Sequence, residues 1–265
     1  MAKLTPELQE ALRAKYNPEG SATRDIQLDI LKVLKEFDRI CTENGIRYWL
    51  DGGTCLGAVR HGGFIPWDDD ADVCMFQEDY DRFVKVFKED EHFALTTREN
   101  DLYYTNGFAK MRLKGKILSE KGTRADIHYT HRGPWLDIFI IDDVTKMSAR
   151  IFKQAACHMH IFTKIENPGK VSTTILKALK SLHLSCIRLW TPIMRKLPWA
   201  RCRYTLGISL YRYIFDKSLF DDLIRVDFED GQFLIPKNYD KYLTDYFGDY
   251  MSLPSEEQRD NSLHF

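Results

Sequence analysis

Between Leu50 and Phe76 the chain reads LDGGTCLGAVRHGGFIPWDDDADVCMF: a short apolar strand, a double-glycine turn, a glycine-rich helical stretch, then carboxylates at strand spacing. Side chains alternate across a strand with period two. Asp70 and Asp72 therefore fall on one face while Ala71, Val73 and Met75 fall on the other. Two acids pointing together from an apolar-backed strand repel one another and are costly unless a cation neutralises them. Mg2+ or Mn2+ meets that need, since a hard divalent ion takes phosphate oxygens alongside carboxylates. Upstream, Ile46, Tyr48 and Leu50 alternate along a strand that ends at Asp51. Gly52 and Gly53 follow, where missing side chains let backbone N–H groups approach an anion. Thr54 then opens a short helix whose N-terminus adds partial positive charge. The segment predicts a metal-dependent, phosphate-handling site.

The flanking sequence predicts a mixed α and β core. Ile26, Ile30, Leu34, Phe37 and Cys41 at three-to-four spacing predict a helix over about 24–44, stopped by Gly45. A second helix is expected over 78–88, then a strand in HFALTT, then a hairpin between Gly107 and Glu120 with Gly115 near its turn. In WLDIFIID (135–142) Leu136, Ile138 and Ile140 share one face, and Asp137 shares the other with Trp135 and Phe139. Asp142 reads as an end-of-strand turn residue. Residues 147–216 read as two or three helices interrupted around Pro168, Pro192 and Pro198, and QFLIP (232–236) as a strand followed by a helix through Phe247.

The stretch DGGTCLGAVRHGGFIPWDDDADV closely resembles the signature of the LicD family, which includes bacterial phosphocholine transferases and is related to the fukutin group of sugar-phosphate transferases. WLDIFIID and FGDYMSLPSEEQR (247–259) are similar to further family segments, so the resemblance runs from about Ile26 to Arg259 with a divergent middle. It implies an α+β fold: a nucleotidyltransferase-like mixed sheet with flanking helices and a C-terminal helical addition. Four parts are expected: an N-terminal extension (1–23), a catalytic core (24–146), a basic helical insertion (147–220) and a strand, helix and tail that pack on the core (221–265). The family's third acid sits in an apolar-Asp-apolar strand, matching Leu136-Asp137-Ile138. Asp70, Asp72 and Asp137 are thus the expected catalytic and metal-binding carboxylates, Asp137 completing the metal site or taking the acceptor proton. Gly52, Gly53 and Thr54 are expected to hold donor phosphates, with Arg60, Lys110 and Arg112 supplying cations; His61 either donates to a phosphate or ends a helix. The resemblance implies a CDP-activated donor, typically CDP-choline, and a hydroxyl acceptor on a glycan or lipid-linked glycan precursor of the cell surface, with CMP released. Three alternatives share these residues: a nucleotidyltransferase releasing pyrophosphate, a ribitol- or glycerol-phosphate transferase, and a non-catalytic membrane-docked module.

The formal net charge of −1 hides a segregation. From Asn167 to Phe215 there are nine Lys or Arg and no acid, which leaves −10 for the remainder. A basic, apolar-rich stretch such as LSCIRLWTPIMRKLPWA suits an anionic membrane surface or a polyanionic acceptor, against the plainer alternative of a solvated basic face. No helix-turn-helix, RNP-like or zinc-finger pattern accompanies it, so no nucleic-acid partner is expected. The first twenty residues lack a secretory apolar core, no run of eighteen apolar residues occurs, and the six cysteines form no C-x-x-C pair. A cytoplasmic protein without disulfides is expected, peripheral at most on the inner face of the cytoplasmic membrane. Cys157, His158 and His160 fall in a helical stretch without a second ligand pair, so no zinc site is expected.

Overall fold

The structure, a computed structural model, describes residues 4–118, 125–204 and 213–260. Helix α1 (Pro6–Tyr16) starts with Thr5 as N-cap and proline in its first turn, and α2 (Ala22–Glu43) starts where the Ser21 hydroxyl accepts from the Arg24 N–H. Helix α2 buries Ile30, Val33, Leu34, Phe37 and Cys41 at the predicted spacing. Strand β1 is only Trp49–Leu50. Helix α3 (Gly52–Leu56) runs into a π-helical turn, Gly57–His61, which ends where Gly62 takes a left-handed φ of 70°. Strand β2 (Asp72–Phe76), helix α4 (Gln77–Val86), strands β3 (Phe93–Thr96) and β4 (Ala109–Leu113), and the ten-residue β5 (Trp135–Val144) complete the predicted core.

The sheet runs β1-β2-β5-β4-β3, with β2 parallel to β5 and its other pairs antiparallel. Helix α2 packs on β4 and β5, and α4 on β2 and β5. Beyond β5, helices α5 (Lys146–Thr163) and α6 (Lys170–Met194) pack against each other. Strands β7 (Leu223–Phe228) and β8 (Gly231–Pro236) form a separate ribbon against β1 and the π turn, followed by α7 (Tyr239–Phe247) and the short α8 (Glu256–Asp260). This is the expected α+β arrangement.

Three local expectations change. The hairpin between Gly107 and Glu120 does not form from its own limbs: β4 pairs with β3 before it and β5 after it, while Leu118 N–H donates to Arg132 O. Residues 119 and 120 lie outside the described residues. Strand β4 is buried on both faces, and alternation along it says which side chains share a face, not which neighbouring strand it pairs with. Secondly, the basic stretch is not helical throughout, because Arg201–Tyr204 forms β6 and pairs antiparallel with Ile141–Val144. Thirdly, Asp142 lies inside β5 and opposite Arg203, where Arg195 Nε approaches its two oxygens at 3.0 and 2.8 Å. It ties the end of α6 to the sheet; burial raises its carboxyl pKa against the pull of Arg195.

Candidate active site

Strand register assembles the site. In the antiparallel β1–β2 pair Leu50 lies opposite Val73, and one residue further Asp51 N–H donates to Asp72 O at 2.9 Å. The parallel β2–β5 pair sets Asp72 beside Asp137, and the antiparallel β4–β5 pair sets Lys110 on Asp137's other side. Residues in register on neighbouring strands share a face. Asp51, Asp72, Asp137 and Lys110 therefore form one row across the sheet.

Each member of the row is answered differently. Lys110 Nζ lies 2.8 Å from Asp137 Oδ1 and 4.0 Å from the centre of the Trp135 ring, while Trp135 Nε1 donates to Asp137 Oδ2 at 3.2 Å. A buried cation without such contacts would be costly. Asp51, fully enclosed, accepts from Tyr204 Oη at 2.7 Å and from Tyr242 Oη. Burial still pushes its carboxyl pKa up, against those two hydrogen bonds. Among the described residues no comparable donor pair reaches Asp72. Lost hydration first, then the nearby Asp70, Asp137, Asp51 and Asp68, push its carboxyl well above the usual range.

The loop before β2 brings further acids to the mouth. Gln27 Nε2 donates to Asp68 O at 2.7 Å and to Ile65 O at 3.3 Å, and the Trp67 ring packs edge-on against Tyr16 and His61. Asp68 and Asp70 remain partly exposed beside Asp72. A Cβ on Gly53 would stand 3.3 Å from Asp68 Oδ2, a tight contact that the aspartate would have to ease. Thr54 Oγ1 accepts from Asp72 N–H at 2.7 Å, so the helix start and the acid strand are stitched together. Tyr246, whose phenol is raised first by burial and next by Asp51, stacks on the exposed Tyr213 with ring centres 4.9 Å apart at one edge of the site.

Comparison with known proteins matches residues 45–161 to the family described as LicD/FKTN/FKRP, nucleotidyltransferase domain. The chain is also 34% identical over 256 residues to the lipopolysaccharide cholinephosphotransferase LicD of Haemophilus influenzae, covering 89% of this chain and 94% of that protein. The chain belongs to the LicD family. Shorter similarities reach the human ribitol 5-phosphate transferase FKRP, 47% identical over 53 residues (18% of this chain, 11% of FKRP), and mouse FKTN, 47% identical over 36 residues (14% and 8%). Strands β1 to β5, and with them the whole acid row, lie inside the matched LicD segment.

Of the residues singled out in the sequence, Gly53, Thr54, Asp70, Asp72, Lys110 and Asp137 come together in this LicD-family site. Gly52 also lies at its edge, but its N–H is engaged by Tyr242 Oη at 3.1 Å. Arg60 does not join them: it is buried, its Nε donates to His61 Nε2 at 2.9 Å, and its Nη1 donates to Tyr250 O and Ser252 O. Burial lowers its pKa to about 10. It anchors the C-terminal tail, as does Arg259 over the Trp67 ring at 5.4 Å. Arg112 lies one pleat beyond Lys110, donates to Gly133 O at 3.1 Å and packs over Trp135, so its side chain is spent inside. His61 bonds Gln9 through Nδ1 and Arg60 through Nε2, and burial, with Arg60 and Arg13 nearby, holds its pKa down to about 3. Its ring ties helix α1 to the π-helical turn.

Sequence reasoning passed over Tyr204 and Tyr242, which carry no local signal; Asp51, at a strand end before two glycines, had one. Among the described residues no group of three His, Cys, Asp or Glu side chains is arranged to hold a metal ion. The donor set suits another mode: two carboxylates, Asp70 and Asp72, at an open mouth, with Asp137 already facing Lys110. Mg2+ is commonly held by one or two carboxylates together with substrate phosphates.

Proposed function

We propose that this chain transfers phosphocholine from a CDP-activated donor to a hydroxyl of a cell-surface glycan precursor, releasing CMP. The observation that carries the reaction class is the register-bound row Asp51–Asp72–Asp137–Lys110 with Asp70 at its mouth. The substituent follows from the full-length similarity to a lipopolysaccharide cholinephosphotransferase. Phosphoryl transfer asks for positioning and charge neutralisation more than covalent chemistry. In this reading Asp70 and Asp72 hold Mg2+ or Mn2+, which when bound neutralises charge on the phosphates. Gly53 and Thr54 approach the donor phosphates. Asp137, fixed by Lys110 and Trp135, orients the acceptor hydroxyl and takes its proton. The acceptor oxygen bonds to the phosphorus that carries choline, and the bond from that phosphorus to the bridging oxygen breaks, leaving CMP.

The test is a thermal-shift screen of CDP-choline, CDP-ribitol, CDP-glycerol and nucleoside triphosphates with Mg2+, followed by identification of the leaving product on a glycan acceptor. Stabilisation by CDP-choline and release of CMP are expected; release of pyrophosphate would replace this reading by nucleotidyl transfer. Ribitol-phosphate transfer is the second reading, favoured by the 47% identity to FKRP, and CDP-ribitol alone stabilising the chain would select it.

A further inference from the structure

Helix α6 has two apolar faces and buries only one. Leu176, Lys180, Ile187 and Met194 turn inward. The opposite side, at 100° per residue, carries Val171, Ile175, Leu182, Leu189 and Ile193 along the whole helix, with exposures from 42% to 76%. A continuous apolar stripe of that kind marks a surface that something covers. No helix among the described residues is long and apolar enough to cross a membrane.

Charge identifies the cover. Lys170, Lys177 and Arg188 are exposed and lie along one line at the edge of the helix's exposed arc, about 100° or more round from the stripe, Trp190 and Trp199 are exposed at its far end, and no acid occurs in the sequence from Asn167 to Tyr204. Two other cations of the segment are occupied: Lys180 Nζ donates to Leu102 O and Tyr104 O at 2.9 and 2.7 Å, and Arg195 binds Asp142. We propose that this face of α6 docks on an anionic lipid surface, with the stripe at the boundary of headgroups and acyl chains and the basic line against lipid phosphates. Interfacial helices combine an apolar stripe, flanking Lys or Arg, and Trp in this way. A second copy fits less well, because a two-fold contact would set the cations of this helix, which carries no acid of its own, against themselves. The docked segment leads directly to the site: five residues after Trp199, Tyr204 donates to Asp51.

The test is flotation of the full chain with vesicles of phosphatidylcholine and phosphatidylglycerol, and of phosphatidylcholine alone, at low and high salt. Co-flotation with the anionic vesicles, weakened by salt, is expected. The double variant Leu182→Ser/Leu189→Ser lowers partitioning by about tenfold or more, and Lys177→Gln/Arg188→Gln by about fivefold for each charge removed. Melting temperatures of both variants stay at the unmodified value because all four side chains are exposed. Absence of flotation on anionic vesicles at low salt, or partitioning unchanged in the folded leucine variant, overturns the proposal. A dimer in vesicle-free sedimentation that the leucine variant dissociates also overturns it, and assigns the face to a second copy.

Discussion

Along the acid row of the sheet Asp51, Asp137 and Lys110 lie at 3%, 9% and 2% exposure, whereas on α6 Val171, Leu182 and Leu189 lie at 75%, 63% and 76%. Charges are inside and large apolar groups outside, each against the usual preference. The two departures are resolved at different levels. A charge buried inside the chain needs an answer from the same chain, and here it gets one: two tyrosines on Asp51, and Lys110 with Trp135 on Asp137. An exposed apolar stripe costs the fold little, so its answer can come from outside. Asp72 stands between these cases, partly exposed, crowded by other acids, and with no buried cation of its own among the described residues.

The contrast can be broken most sharply at Asp72. In Asp72→Asn, turnover is expected to fall by about a thousandfold or more, about 4 kcal/mol of transition-state stabilisation. Its melting temperature should hold or rise, since the acid removed is one that its neighbours repel. Steady-state CMP release beside a thermal melt checks this; a folded variant with near-normal turnover would remove the acid row from the chemistry. Lys110→Met comes next, with a stability loss of about 3–5 kcal/mol from leaving Asp137 uncompensated. Adding Asp137→Asn to it should recover part of that loss, measured as a coupling energy in denaturant titrations.

A pH series sharpens the buried side of the comparison. His61 is held neutral, with its pKa lowered to about 3, while the unfolded chain protonates it near 6.5. Between those values the unfolded state binds the extra proton, so the contribution is complete above pH ~6.5 and is lost as pH falls toward 3. About 2 kcal/mol of it should disappear between pH 6.5 and 5, and His61→Gln should flatten that part of the profile. The smallest effect belongs to the exposed stripe: Leu189→Ser should change stability by no more than about 0.5 kcal/mol. Two residues away on the buried face, Ile187→Ala should cost about 2–4 kcal/mol.

Much of the site was legible because strand alternation is local. The pattern in DADVCMF and in WLDIFIID already places Asp70 with Asp72, and Asp137 apart from Leu136 and Ile138. Strand β6 was not legible, since RCRY has four residues, two of them arginines, and is a strand only because β5 extends far enough to pair with it. In the sequence Arg60 follows the short helix and Arg112 alternates with Lys110 along a strand, positions from which either could supply a cation to a phosphate. Packing instead put Arg60 on carbonyls of the C-terminal tail and Arg112 between Gly133 and Trp135.

The sequence by itself determined which residues share a face, the acids of the D-x-D strand and the apolar side of α2, because backbone geometry sets these periods within one element. Only the tertiary structure decided which charges are answered. The partners of Asp51 lie at Tyr204 and Tyr242 and the partner of Asp137 at Lys110, and no local periodicity joins residues so distant in the chain. Strand register and burial, set by long-range packing, turned a pair of acids behind a glycine turn into a row in which Asp72 is the partly exposed carboxylate.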